Sequence, residues 1–197
     1  MQTSSDSDLV ALSSQKLPPA PQPLDPAASP GNFLRLDLPF QAHVVDLKGI
    51  EHKSHSVPVQ SLTAVRDKIK LYRDAVLTSC EAVVYPSAPS LKIPVTVDLV
   101  FTTADITVTG VDVLATPSST RITVGGLSIL RNGVLPADLK YINPIIKSPI
   151  PYTNHPRLNL LYHANPDATP AGESGSVKAS IFIRGTIRVS NPLITNQ

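Results

Sequence analysis

The five histidines, His43, His52, His55, His155 and His163, come first, because an imidazole can hold a metal or move a proton near neutral pH. Only His52 and His55 are close in sequence, in a segment that reads as strand or loop. A spacing of three along a strand turns side chains to opposite faces, so the pair does not converge on a metal. His163 alternates with Asn159 and Leu161, as on an ordinary sheet face. The single cysteine, Cys80, lies in an apolar strand-like run, where a thiol behaves as a small inert core group, and no Cys–His spacing suggests zinc. The 15 Asp and Glu residues are scattered, mostly in turns, with no pair placed for general acid–base work. There is no G-x-S-x-G elbow, P-loop or G-x-G-x-x-G. Gly125-Gly126 reads as tight backbone near a strand end rather than a phosphate cradle. These residues support no enzyme, no metal and no organic cofactor.

The basic residues carry more signal. Lys68, Lys70 and Arg73 cluster on or just after a short helix, and Arg184 and Arg188 are spaced for one face of the last strand. Each group could contact phosphate or a neighbouring subunit. The plainer reading of each is a solvated face or a contact with acidic neighbours.

The elements that must position these groups are mostly strands. Leu34, Leu36, Leu38, Phe40, Ala42 and Val44 alternate with Arg35, Asp37, Gln41 and His43, a half-buried strand. Pro39 inside it implies a sheet edge or a bulge. A short strand follows over Ser54–Val59. Next comes the one good helix candidate, about three turns long, with Ser61 as its cap and Val65, Ile69 and Tyr72 on one face. Further strands are expected over Ala75–Tyr85, Ile93–Thr102, Arg121–Leu130, Val134–Lys140, Leu158–Ala164 and Lys178–Val189. In the last, Ile181, Ile183, Ile187 and Val189 face in, while Lys178, Arg184 and Arg188 face the other way. That makes about eight strands, with nothing repeating at a fixed period. The fold class is all-β: an eight-stranded antiparallel jelly-roll β-sandwich with one short helix. Long connections at Asp105–Thr120 and Ile142–Pro156 suit a jelly roll better than a minimal sandwich.

Composition agrees. Twenty prolines and no tryptophan in 197 residues, with abundant Val, Ile, Leu and Thr, suit short strands and Pro-rich turns. No apolar run is long enough to span a membrane, and Met1–Val10 is polar and acidic, unlike a secretion signal. Residues 1–31 form a Pro-rich segment that cannot bury enough apolar surface to offset its ordering, and read as a flexible arm. Residues 32–197 are the sandwich. The net charge is 17 − 15 = +2.

Four stretches, in order, resemble the coat proteins of the Tymoviridae, tymoviruses and marafiviruses: Leu38-Pro-Phe-Gln41, Tyr72-Arg73-Asp74-Ala75, Pro156-Arg-Leu-Asn-Leu160 and Gly185-Thr-Ile-Arg-Val-Ser-Asn-Pro-Leu-Ile-Thr195. The likeness runs over about residues 17–196 and includes a non-basic Pro-rich arm. It implies a plant-virus capsid protein with a jelly-roll fold. It further implies self-assembly, in the host cytoplasm, of a T=3 icosahedral virion of 180 subunits, as pentamers and hexamers, around a positive-sense single-stranded RNA genome. Polyamines or small cations would accompany the packaged RNA. The family pattern has histidine where this chain has Asp74, and another near Ser190 and Asn191. Those imidazoles are read as RNA-facing, and neither Asp74 nor Ser190 gains a proton as imidazole does. The rival reading is a non-viral β-sandwich binding module, lectin-like or adhesive.

Overall fold

The computed structural model describes residues 35–103, 108–126, 131–150, 154–165 and 175–193. The arm expected over residues 1–31 lies outside them.

Nine strands are found among the described residues: β1 (Leu36–Lys48), β2 (Lys53–Pro58), β3 (Tyr72–Pro86), β4 (Val95–Thr102), β5 (Thr120–Val124), β6 (Gly133–Pro136), β7 (Ile145–Lys147), β8 (Arg157–His163) and β9 (Val177–Pro192). One sheet has the order β1-β9-β3-β6, with β7 also on β3; the other has the order β2-β8-β4-β5. Every pairing is antiparallel. The first strand pairs with the last, β2 with β8, β3 with β6 and β4 with β5. Such nesting is what a long antiparallel hairpin gives when it is rolled up into two sheets, which is the jelly roll.

Side-chain alternation builds the core. Val95, Val97, Leu99 and Phe101 of β4 meet Ile181, Ile183, Ile187 and Val189 of β9 in one buried cluster. In β3 the buried positions change parity, from Ala75 and Leu77 to Cys80, Ala82 and Val84. The change falls at a register shift between Leu77 and Ser79. A one-residue bulge turns every later side chain over. β1 does the same: Phe40 and Ala42 are buried before a shift at His43/Val45, and Leu47 after it. The expected alternation runs to Val44, which is half-buried against the core at the bulge itself. Pro39 is accommodated because β1 is an edge strand, paired only with β9.

Five expectations need correction. The strand expected over Val134–Lys140 is β6, which ends at Pro136. The helix, α1, spans only Thr63–Ile69, and Tyr72 already belongs to β3. Pairing of Tyr72 with Pro192, and donation from the Leu193 amide to the Leu71 carbonyl, pull the chain out of the helix. Ser61 does not cap α1: it lies in a 3-10 turn and donates to the Pro58 carbonyl at 2.7 Å. The buried Leu62 takes the N-cap place with no side-chain cap. The strand expected over Arg121–Leu130 stops at Val124, and residues 127–130 lie outside those described. Gly125 and Gly126 both have φ above +80°, and the Gly126 amide donates to Ser90, as tight backbone requires. The long connection after Ile142 contains β7, which was not expected. Its Lys147 reaches back, Nζ donating to the Ile69 carbonyl at 2.9 Å, and so satisfies the C-terminal end of α1.

Cys80 is 6% exposed, and burial pushes its thiol up to about 12. A thiolate is the reactive form, so the native protein should resist labelling by a disulfide-exchange reagent and react fully once unfolded. Labelling of the folded protein at the rate of free cysteine would show that β3 opens.

Candidate functional site

The outer face of the first sheet carries the two strand arginines. Arg184 on β9 lies opposite Glu81 on β3, and Arg188 lies opposite Asp37 on β1. Both registers become ion pairs: Arg184 Nε to Glu81 Oε1 at 2.5 Å, and Arg188 Nε and Nη2 to the two Asp37 oxygens at 2.9 and 3.1 Å. The Arg188 hydrogen bonds hold the Asp37 carboxyl below the usual carboxylate range. Exposed pairs of this kind add little stability, but each cation already has an anionic partner.

An open cleft of about 1190 Å³ runs beside Arg184. Lys68 of α1 and Lys140 line it, against Glu81 and Asp138. The structure thus brings together Lys68 and Arg184 of the five predicted basic residues. Lys70, Arg73 and Arg188 lie outside the cleft. Lys70 stands 4.0 Å from Asp67, and Arg73 is exposed at the start of β3. Lys178, expected on the same face as the arginines, is 1% exposed, and its Nζ donates to the Gly49 carbonyl.

Asp74 and Ser190 are register partners. The Asn191 amide donates to Asp74 at 2.5 Å, with Asn191 in the left-handed region at φ 55°. An acid–amide pair therefore stands where the family resemblance places imidazoles.

The second sheet holds a cluster that the sequence reading missed. Its β4 and β8 are buried on both faces, because a short helix, α2 (Asp112–Ala115), puts Val113 against Val100 and Leu161. Asp98, beside that layer, is 1% exposed. It accepts from Arg121 Nε at 2.7 Å and Nη2 at 2.9 Å, and from His163 Nε2 at 2.6 Å. His52 packs edge-on against His163, ring centroids 5.7 Å apart. Arg121 first, and His163 with it, hold the Asp98 carboxyl below its ordinary range against the effect of burial. Nearby, Asn159 takes a hydrogen bond from Ser56 and donates to Thr102 Oγ1 at 2.8 Å. Asp98 and His163 each occupy an outward position of their strands, a signal present in the alternation. Their convergence depends on the β8-β4-β5 register, which no local pattern encodes. Among the described residues, no group of three or more His, Cys, Asp or Glu is placed to hold a metal.

Nothing in this geometry is a catalytic constellation, whereas the jelly roll itself is informative. Over residues 16–197 the chain matches the family model described as tymovirus coat protein. The chain belongs to that family. The coat protein is 36% identical to the capsid protein of Grapevine fleck virus (isolate Italy/MT48), over 96% of this chain and 80% of that one. Against the capsid protein of Ononis yellow mosaic virus it is 35% identical, over 80% of this chain and 79% of the relative. Among solved structures, Desmodium yellow mottle tymovirus superposes with a TM-score of 0.74 at 28% identity, covering 93% of this chain and 99% of that one. Tobacco necrosis virus, at 10% identity and a TM-score of 0.61, shares the fold alone. The coat protein is accordingly a structural component of a virion, not an enzyme, and the lectin-like alternative is set aside.

Proposed function

We propose that this coat protein closes into a T=3 icosahedral shell of 180 subunits, as pentamers and hexamers, around a positive-sense single-stranded RNA, assembling in the host cytoplasm. The observation that carries the reading of how such a shell holds together is charge. Each chain contributes +2, so the whole shell supplies only a few hundred positive charges against the thousands on a genome. Arg184 and Arg188 are further offset by Glu81 and Asp37. Polyamines or small cations must neutralise most of the RNA. Protein–protein burial then holds the shell. Exposed apolar side chains such as Val111 (82%), Tyr141 (81%) and Ile150 (73%) are available for it. RNA contact is secondary, and Lys68 and Arg184, with Lys140 in the same cleft, are the basic residues best grouped for phosphate. Lys70, Arg73 and Arg188 are rim or interface cations in this reading.

Expressed without its genome, the protein should form closed, RNA-free shells that persist in about 1 M NaCl, where exposed charges are screened within a few ångström. Negative-stain microscopy and sedimentation read the outcome. Dissociation to subunits in that salt would mean that charge, not burial, holds the shell.

A further inference from the structure

We propose that the end of the second sheet carries a binding site for a phosphate group, formed by Arg121, His163, Thr96 and Thr123 and strengthened by protonation of His163. It is separate from the Lys68–Arg184 cleft and does not depend on the shell reading.

A pocket of about 340 Å³ is lined by Pro94, Thr96, Arg121, Thr123, His163, Ala164 and Asn165. Its lining includes a guanidinium and two hydroxyls that can donate. Arg121 gives Nε and Nη2 to Asp98, with Nη2 also 3.4 Å from His163 Nε2; its Nη1 makes no hydrogen bond among the described residues, and the side chain is 50% exposed. The Asp98 carboxylate therefore orients the guanidinium and leaves its outer edge open, as a planar fork for an oxyanion. Thr96 Oγ1 and Thr123 Oγ1 stand 2.9 Å apart. One donates to the other, and the second hydroxyl proton of the pair is left for a ligand.

His163 supplies the dependence on protons. Its Nε2 faces Asp98 at 2.6 Å, and Nδ1 has no partner among the described residues. With Nε2–H given to Asp98, the neutral ring presents Nδ1 as an acceptor, which repels an anion. A second proton turns Nδ1 into a donor while the Asp98 contact is kept. The ionisable groups that meet the ring are Asp98 on β4, Arg121 on β5 and His52 before β2. With both rings neutral, Asp98 and Arg121 cancel. Protonating His163 leaves the cluster at +1, and His52 can only add to that. A phosphate group suits the site because guanidinium, hydroxyl and imidazolium donors line one pocket.

Isothermal titration calorimetry on the purified, RNA-free full chain tests this, at constant ionic strength in chloride. Sulfate serves for the pH scan because its charge is constant, and inorganic phosphate and an unphosphorylated hexaribonucleotide are compared at low pH. Sulfate should bind about tenfold more tightly at pH 5.5 than at pH 8. His163→Gln, which keeps a donor for Asp98, should erase that difference. Thr123→Val should weaken binding several-fold at both pH values. If the hexaribonucleotide displaces sulfate, the ligand is a nucleic-acid backbone; if only free phosphate does, it is a small oxyanion, and either result supports the site. No oxyanion binding above chloride, or binding unchanged in both variants, overturns it.

Discussion

Gly185→Ala should abolish soluble, assembling coat protein, although it adds a single methyl group. Gly185 lies in β9, opposite Phe40 of β1 and Cys80 of β3. A Cβ there would fall on the Ser79 carbonyl oxygen, 2.9 Å from the Ser79 carbonyl carbon and 3.0 Å from Cys80 Cα. All three are backbone atoms of a strand that is already bulged at that point. No rotamer change relieves the overlap, so the central strand pair must separate. The cost is expected to be about 4 kcal/mol, in the range of severe overpacking and comparable to much of a domain's net stability. Gly175→Ala is the matched control, because nothing lies within 4 Å of the added atom. Soluble yield and melting temperature of the two variants make the measurement. Gly185→Ala melting within a degree or two of its control would show that the bulge relaxes.

The Gly185 position also marks what the chain alone discloses. Its alternation makes β9 legible from Ile181 to Val189, and β4 from Val95 to Phe101, because a buried face imposes a strict period of two. A bulge in a partner strand leaves no such mark. The parity changes at Leu77/Ser79 and His43/Val45 come from register; Val44 packs against the core as the alternation expects, but the bulge at its position is not readable from the sequence. Ser61 has the chemistry of a cap, yet the chain uses it in the turn before the helix, because burying Leu62 fixes where α1 begins. β7 is three residues long, below the length at which alternation can be seen. Arg184 and Arg188 were found as one basic face, and their carboxylate partners were not, since Glu81 and Asp37 come from strands far away in sequence. Asp98, Arg121 and His163 failed to register as a group for the same reason.

Asp98→Asn is the second substitution with a large expected effect, and its pH profile discriminates more than its size. The side chain keeps its shape but loses the charge that Arg121 and His163 face at 2.6–2.9 Å. Breaking a fully buried pair costs about 3–5 kcal/mol. Arg121 is half exposed and can turn to water, so about 2 kcal/mol is expected here. Asp98 is held below its ordinary range in the fold. Its charge therefore contributes stability above the unfolded value, about 3.9. That contribution is lost as the pH falls through the folded value, which is lower still. The difference between wild type and Asp98→Asn in urea unfolding should persist down to about pH 4. It should then shrink, and vanish once the folded carboxylate is protonated. A difference that persists undiminished in acid would assign the cluster's worth to shape rather than charge.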